Sequence, residues 1–215
     1  MPVITIRGQM GSGAPEIGHQ VAHLIQGDYV DRQVIAGVAE LLKRPEAQVE
    51  AKEQIPPQLL QRIIEPLRKA LTRSGSIDSA YLRTWEEPLD DAKYLDALES
   101  VIQGLALEGN IVLVGRGSQF ILHNNQSVLH VLVVAPLEER LNRVMAQLQI
   151  DEDEARRRIE DFDTSRRAFI QRFFQRDLED PMYYDLVINI QYLTHEAAAR
   201  LVVAAATEKN PWSHG

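Results

Sequence analysis

A β-branched run, Val3-Ile4-Thr5-Ile6, breaks at Gly8 into a turn that also holds Gly11 and Gly13, and Pro15 follows at once. β-Branched residues favour a strand, and glycine permits backbone angles and close approaches that a Cβ forbids. Proline suits the first turn of a helix, where its missing N–H costs nothing. Ile17, Val21, Leu24 and Ile25 recur at helical spacing, so the pattern predicts a helix over 15–26 that ends at Gly27. Backbone N–H groups in such a strand–turn–helix, added to the positive end of the helix dipole, form an anion site suited to phosphate.

The rest of the chain is read around that unit. Tyr29 and Val30 predict a brief second strand, and Asp31 either caps the next helix, carrying Val34, Ile35, Val38, Leu41 and Leu42, or serves as a ligand at a strand's end. Residues 45–73 are helix formers cut by Pro45, Pro56, Pro57 and Pro66, the pattern of an inserted helical cap. Ser74 to Pro88 reads as a loop whose Tyr81 and Trp85 either stack on a base or pin it to the surface. A helix from about Asp90 to Glu108 buries Leu95, Leu98, Val101, Ile102 and Leu105. The apolar run Ile111 to Val114 predicts a strand covered on both faces, and it stops at Gly115-Arg116-Gly117. Arg116 then stands at a strand's carboxyl end, where open parallel sheets bind ligands.

Leu129 to Val134 predicts another buried strand, followed by a helix starting at Pro136 in which Glu139 and Arg143 pair. The segment 151–176 is dense in charge, and Arg156 to Arg158 read as a solvated helical face. Arg172 and Arg176 are spaced to share one helix face beside the anchoring Phe169, Phe173 and Phe174, and Asp180-Pro181 marks a break where a lid over about 151–181 hinges. Leu186, Val187, Ile188 and Ile190 predict a last strand, Thr194 caps a final helix, and the tail frays after Lys209. Strands alternating with helices indicate an α/β fold, read as one domain over 1–215.

A formal net charge of −8 argues against broad nucleic-acid binding. The absence of cysteine excludes disulfides and thiolate metal sites and fits a reducing cytoplasm. The start of the chain shows no charged-then-apolar leader, and no apolar run reaches the roughly 18 residues of a membrane span. The expectation is a soluble, cytoplasmic protein without membrane or nucleic-acid partners, with homodimer formation left open.

The phosphate-binding pattern G-x-x-x-x-G-K-[ST] is matched in its glycine frame by Gly8 and Gly13, while Ala14 stands in the place of the lysine. With GQMGSGAPEIG, the stretches DYVDRQVI, LVGRGSQFIL, HVLVVAPLEERLNRV and DTSRRAFIQRFFQRDLEDPMYYDLVIN resemble the cytidylate kinase-like family, a branch of the P-loop nucleoside monophosphate kinases. That resemblance implies a P-loop NTPase-like three-layer fold: a five-stranded parallel sheet flanked by helices, a helical monophosphate-binding insertion over about 45–105, and a lid. It also implies phosphoryl transfer from ATP to CMP or dCMP with Mg2+. By resemblance, Gly8, Gly11, Ser12 and Gly13, with Ala14 in the lysine's place, wrap the donor phosphates. Asp31 and Arg32 lie near the acceptor, Arg116 contacts its phosphate, Arg172 and Arg176 close on the transferring charge, and Asp185 positions the acceptor. Glu16 takes the place of the hydroxyl that assists magnesium, so the magnesium ligands stay unassigned.

Two other readings compete. A nucleotide sensor or scaffold that keeps the fold without catalysis is favoured by the triplet Ala14-Pro15-Glu16. A dinucleotide-dependent oxidoreductase is suggested by Asp31, 18 residues beyond Gly13, but the glycine spacing fits poorly and no Tyr-x-x-x-Lys pair is present.

Overall fold

The computed structural model describes residues 1–31 and 91–209. The predicted insertion over 45–73, the loop at 74–88 and Arg32 lie outside the described residues. Elements are numbered along the described residues. Strand β1 (Val3–Gly8) leads through the glycine turn into α1 (Ala14–Leu24), and β2 (Asp28–Val30) follows. Helix α2 (Asp91–Glu108) precedes β3 (Ile111–Val114), the short α3 (Ser118–Ile121) and β4 (Val128–Val134). Then come α4 (Leu137–Leu148), α5 (Glu152–Phe174), a 3-10 turn (Pro181–Tyr183), β5 (Leu186–Asn189) and α6 (His195–Glu208).

The strands form a five-stranded parallel sheet flanked by helices, in the order β2-β3-β1-β4-β5. The first strand is therefore the central one, with Ile4 beside Val112 and Leu129. Because side chains alternate across a strand, β1 has two different faces. Ile4 and Ile6 enter a core with Ile17 and Val21 of α1, Val131 and Val133 of β4, and Ala198 and Val202 of α6. Thr5 and Arg7 point to the opposite face and are buried there as well. A second cluster joins α4 to α5 through Leu141, Val144, Ala155 and Ile159.

The chain divides into two units, Met1–Tyr29 with Asn110–Gly215, and Val30–Gly109. In the second, α2 buries Leu98, Val101, Ile102 and Leu105, as its periodicity predicts. In the first, α1 stops two residues early: Gln26 takes the left-handed conformation at φ 51°. Gly27 is needed for a different reason, since a Cβ there would run into the carbonyl of Asn110. Asp151 and Thr194 cap α5 and α6 by accepting from Glu154 N and Ala197 N, at 2.9 and 3.1 Å.

On the polar face, Thr5 Oγ1 lies 2.8 Å from His130 Nδ1. Burial pushes the His130 pKa down to about 4, with Asp185 opposing the shift and Lys209 adding to it. The unfolded chain takes up a proton near pH 6.5 that the folded protein refuses until about pH 4. Stability is therefore full above pH 6.5 and falls as pH drops toward 4, on the order of 1 kcal/mol per pH unit within that window. Urea midpoints of wild type and His130→Gln between pH 7 and 5 test this: the variant should show the flatter dependence.

Candidate functional site

The glycine turn leaves the carboxyl end of the central strand. Gly11 and Gly13 adopt φ of 77° and 78°, and Ser12 N donates to Gln9 O at 3.0 Å. A Cβ on Gly11 would lie 2.6 Å from the Arg140 carbonyl oxygen, and one on Gly13 would run into the His195 ring. Glycine is thus required twice at each position, for its backbone angle and for the space. The first amides of α1 have no intrahelical partner, and its macrodipole is positive at that end. Ala14 is 2% exposed, so the lysine's place is filled by a methyl group packed inward.

Three side chains brace this turn from α4 and α5. Asp163, 6% exposed, accepts from Met10 N at 3.2 Å, and its other oxygen accepts from Arg140 Nη1 and Nη2, both at 2.7 Å. Arg143 Nη1 donates to the Gly11 carbonyl at 3.2 Å. The sequence carried one hint of this: Asp163 falls on the apolar stripe of α5 that holds Ala155, Ile159 and Ile170.

The turn after β3 is left-handed at three successive residues, with φ of 86°, 56° and 73° at Gly115, Arg116 and Gly117. A non-glycine residue there stores about 1–2 kcal/mol of strain. Gly117 admits the ring of Phe174, which stacks on Phe120 at 5.4 Å, and Phe120 meets Tyr183 edge-on at 5.1 Å. Arg176 joins this aromatic group by donating to Tyr183 Oη at 3.0 Å and lying 5.5 Å from the ring centroid. The predicted shared helix face of Arg172 and Arg176 is corrected. Helix α5 ends at Phe174 and Gln175 turns left-handed, so Arg172 stays on the last helical turn, over Phe173, while Arg176 lies beyond the helix.

Asp185 is also displaced from its expected role. It stands before the first residue of β5, level with His130 and Thr5, not at the carboxyl edge. Its carboxylate accepts from His130 N at 2.8 Å and pairs with Lys209. Asp31 is half-buried just after β2. Gly8, Gly11, Ser12 and Gly13 fall together in the turn, and Arg116 follows the neighbouring strand β3.

Two further groups at this edge were not anticipated. Arg7, the residue before Gly8, is 7% exposed and lies 3.6 Å from Glu179. His195, first in α6, covers Gly13. A cation closing an apolar strand was visible in the sequence as a clue to the first; the second requires the fold.

The family model for the cytidylate kinase-like family matches residues 3–192. The chain belongs to that family. It is 31% identical over 103 residues to a cytidylate kinase of Sulfolobus acidocaldarius, covering 48% of this chain and 56% of that protein. The match to a cytidylate kinase of Methanocaldococcus jannaschii is also 31% over 103 residues, covering 47% and 58%. The chain thus spans little more than half the length of these curated relatives. A crystal structure of an uncharacterized protein from Eubacterium ventriosum superposes with a TM-score of 0.63 at 14% identity, covering 96% of this chain and 99% of that one, a likeness of fold.

The two left-handed glycines should respond differently to a methyl group. Gly11→Ala meets backbone that cannot yield and should cost roughly 2–4 kcal/mol, from the backbone angle and the overpacking together. Gly13→Ala meets the end of a side chain that can swing, and should cost roughly 1–2 kcal/mol, the strain of the angle alone, once His195→Ala is added. Urea denaturation of the three variants checks the order; no benefit from removing His195 would contradict the contact.

Proposed function

We propose that this member of the cytidylate kinase-like family transfers a phosphoryl group from ATP to a pyrimidine nucleoside monophosphate, CMP or dCMP. The observation that carries the reading is the glycine turn itself: a Cβ at Gly8, Gly11 or Gly13 would collide with Ser12, Arg140 or His195, so glycine alone allows this tight backbone at the start of α1 and the carboxyl end of the central strand, where backbone amides favour an anion. Phosphoryl transfer depends mostly on positioning and electrostatic stabilisation, for which arginine forks and backbone amides suffice. Gly8, Gly11, Ser12 and Gly13 would surround the donor phosphates. Arg116 would receive the acceptor phosphate, with Asp31 and Arg32 toward the nucleoside. Arg172 and Arg176 would draw in on the charge as it moves, Arg176 guided by Tyr183. Asp185 is left with a structural role.

Magnesium, when bound with the triphosphate, neutralises phosphate charge. The chain offers it no built site among the described residues, where no three acidic or imidazole side chains converge and Glu16 accepts from Gln147 at 2.8 Å. Among the described residues no helix is long and apolar enough to cross a membrane. We place the protein in the cytoplasm as part of the same reading.

One observation favours the sensor alternative: the inward-packed Ala14, which removes the charge that usually follows the turn. The oxidoreductase reading is set aside, because β3 and not β2 lies beside β1, unlike the dinucleotide-binding order. Calorimetry with ATP and CMP, then a transfer assay across the four monophosphates, separates the rest. Turnover with CMP supports the kinase, and tight binding without turnover supports the sensor.

The double substitution Ala14→Lys and Glu16→Thr should raise ATP affinity by restoring the phosphate cation and the hydroxyl; unaltered affinity would place the donor elsewhere. Arg172→Ala and Arg176→Ala should each lower turnover by roughly 10³-fold, the scale of an arginine finger, and leave Tm nearly unchanged. Early melting with turnover intact per folded molecule would make them structural.

A further inference from the structure

We propose that Arg7 is the phosphate-binding cation of this lysine-free turn, and that Glu179 occupies its guanidinium until a phosphate displaces the carboxylate. The inference rests on the reading that the glycine turn takes phosphate, and it names the charge that the turn otherwise lacks. Arg7 projects from the polar face of β1, one residue before Gly8, and is 7% exposed. Neither Nη1 nor Nη2 has a hydrogen-bond partner among the described residues. A desolvated guanidinium whose two terminal nitrogens are unmet is costly, and oxyanions such as carboxylate and phosphate are what its fork fits.

Among the described residues the ion pair of Arg7 with Glu179 is loose. Glu179 Oε1 stands 3.6 Å from Arg7 Nη2, and the same oxygen receives Gln9 Nε2 at 3.4 Å. One anionic oxygen thus already sits where β1 and the second residue of the turn can both reach it. Its carrier can leave: the Glu179 side chain is 39% exposed and follows the left-handed Gln175 in the link between α5 and the 3-10 turn. The other cations of the turn are committed. Arg140 is bound to Asp163, and Arg143 donates to Gly11 O while pairing with Glu139 at 3.9 Å.

The surroundings agree. Tyr184 is neutral, its pKa pushed up to about 12 by burial, and its hydroxyl donates to Leu178 O at 2.7 Å, so it does not quench the guanidinium. Burial pulls the Arg7 pKa down while Tyr184, Glu179 and Asp163 oppose that shift, and an arginine stays charged regardless. Ser12 and Ser118 add two buried hydroxyls without hydrogen-bond partners among the described residues, one inside the turn and one following Gly117.

Calorimetric titration of ATP, and separately of tripolyphosphate, into wild type, Arg7→Gln, Glu179→Gln and the double variant tests the inference. Arg7→Gln should weaken both ligands by about tenfold or more, and Glu179→Gln should tighten both by about threefold to tenfold, as a competing charge is removed. The gain should vanish in the double variant. Glu179→Gln is a half-exposed, isosteric change, so it carries the test even if Arg7→Gln misfolds. Unchanged or weaker binding in Glu179→Gln, or a gain that survives the loss of Arg7, overturns the inference. Wild type that takes tripolyphosphate but not ATP refutes the nucleotide reading alone, with Arg7 then judged on tripolyphosphate. Wild type that takes neither overturns both.

Discussion

The carboxylate of Asp163 holds the molecule's working edge together. One oxygen receives the Met10 amide and the other both terminal nitrogens of Arg140, in a place almost closed to solvent. A buried ion pair of this kind adds little net stability, since desolvating both charges offsets most of their attraction. Its effect is geometric. Arg140 also brings its backbone against Gly11, so the pair sets how closely α4 and α5 approach the turn. Take away either partner and a buried charge is stranded, which makes the arrangement hard to alter piecemeal.

That edge depends in turn on the two-sidedness of the central strand. Ile4 and Ile6 pin β1 to α1 and α6 through close-packed aliphatic contacts, and this leaves Thr5 and Arg7 to face the other way. The sheet therefore pays for a buried polar row, Thr5 with His130 and Arg7 beyond it, on the side where α5 and the 3-10 turn lie. The aromatic group of Phe120, Phe174 and Tyr183 closes the same side, carrying Arg176 and packing under the strained Arg116 turn. Close aliphatic packing thus lies on one face of the sheet and loosely satisfied polar groups on the other.

The strands at Val3, Ile111 and Leu129, the glycine frame and the cap at Thr194 were legible because their signals are local: β-branched runs, turn residues and spacing within a few positions. The misreadings have equally physical causes. A run that continues to look helpical in composition concealed the left-handed Gln175, so Arg172 and Arg176 were placed on one face that the backbone does not provide. Asp185 precedes β5, and in a parallel sheet that puts it away from the carboxyl edge, a point available from strand direction alone. Asp163, Arg7 and His195 act only because segments far apart in the chain close on one turn, and no local pattern encodes that closure.

The contact between His195 and Gly13 has a consequence for how the protein comes into being. Synthesis delivers the central strand first, before either of its sheet neighbours β3 and β4 exists, and the helix that covers its turn last. Contacts of such long sequence separation form late, after much chain entropy has been lost. While the nascent chain is still on the ribosome, the glycine motif has been made but its walls have not. A chain released before α6 is complete would carry the motif with the His195 wall against Gly13 missing.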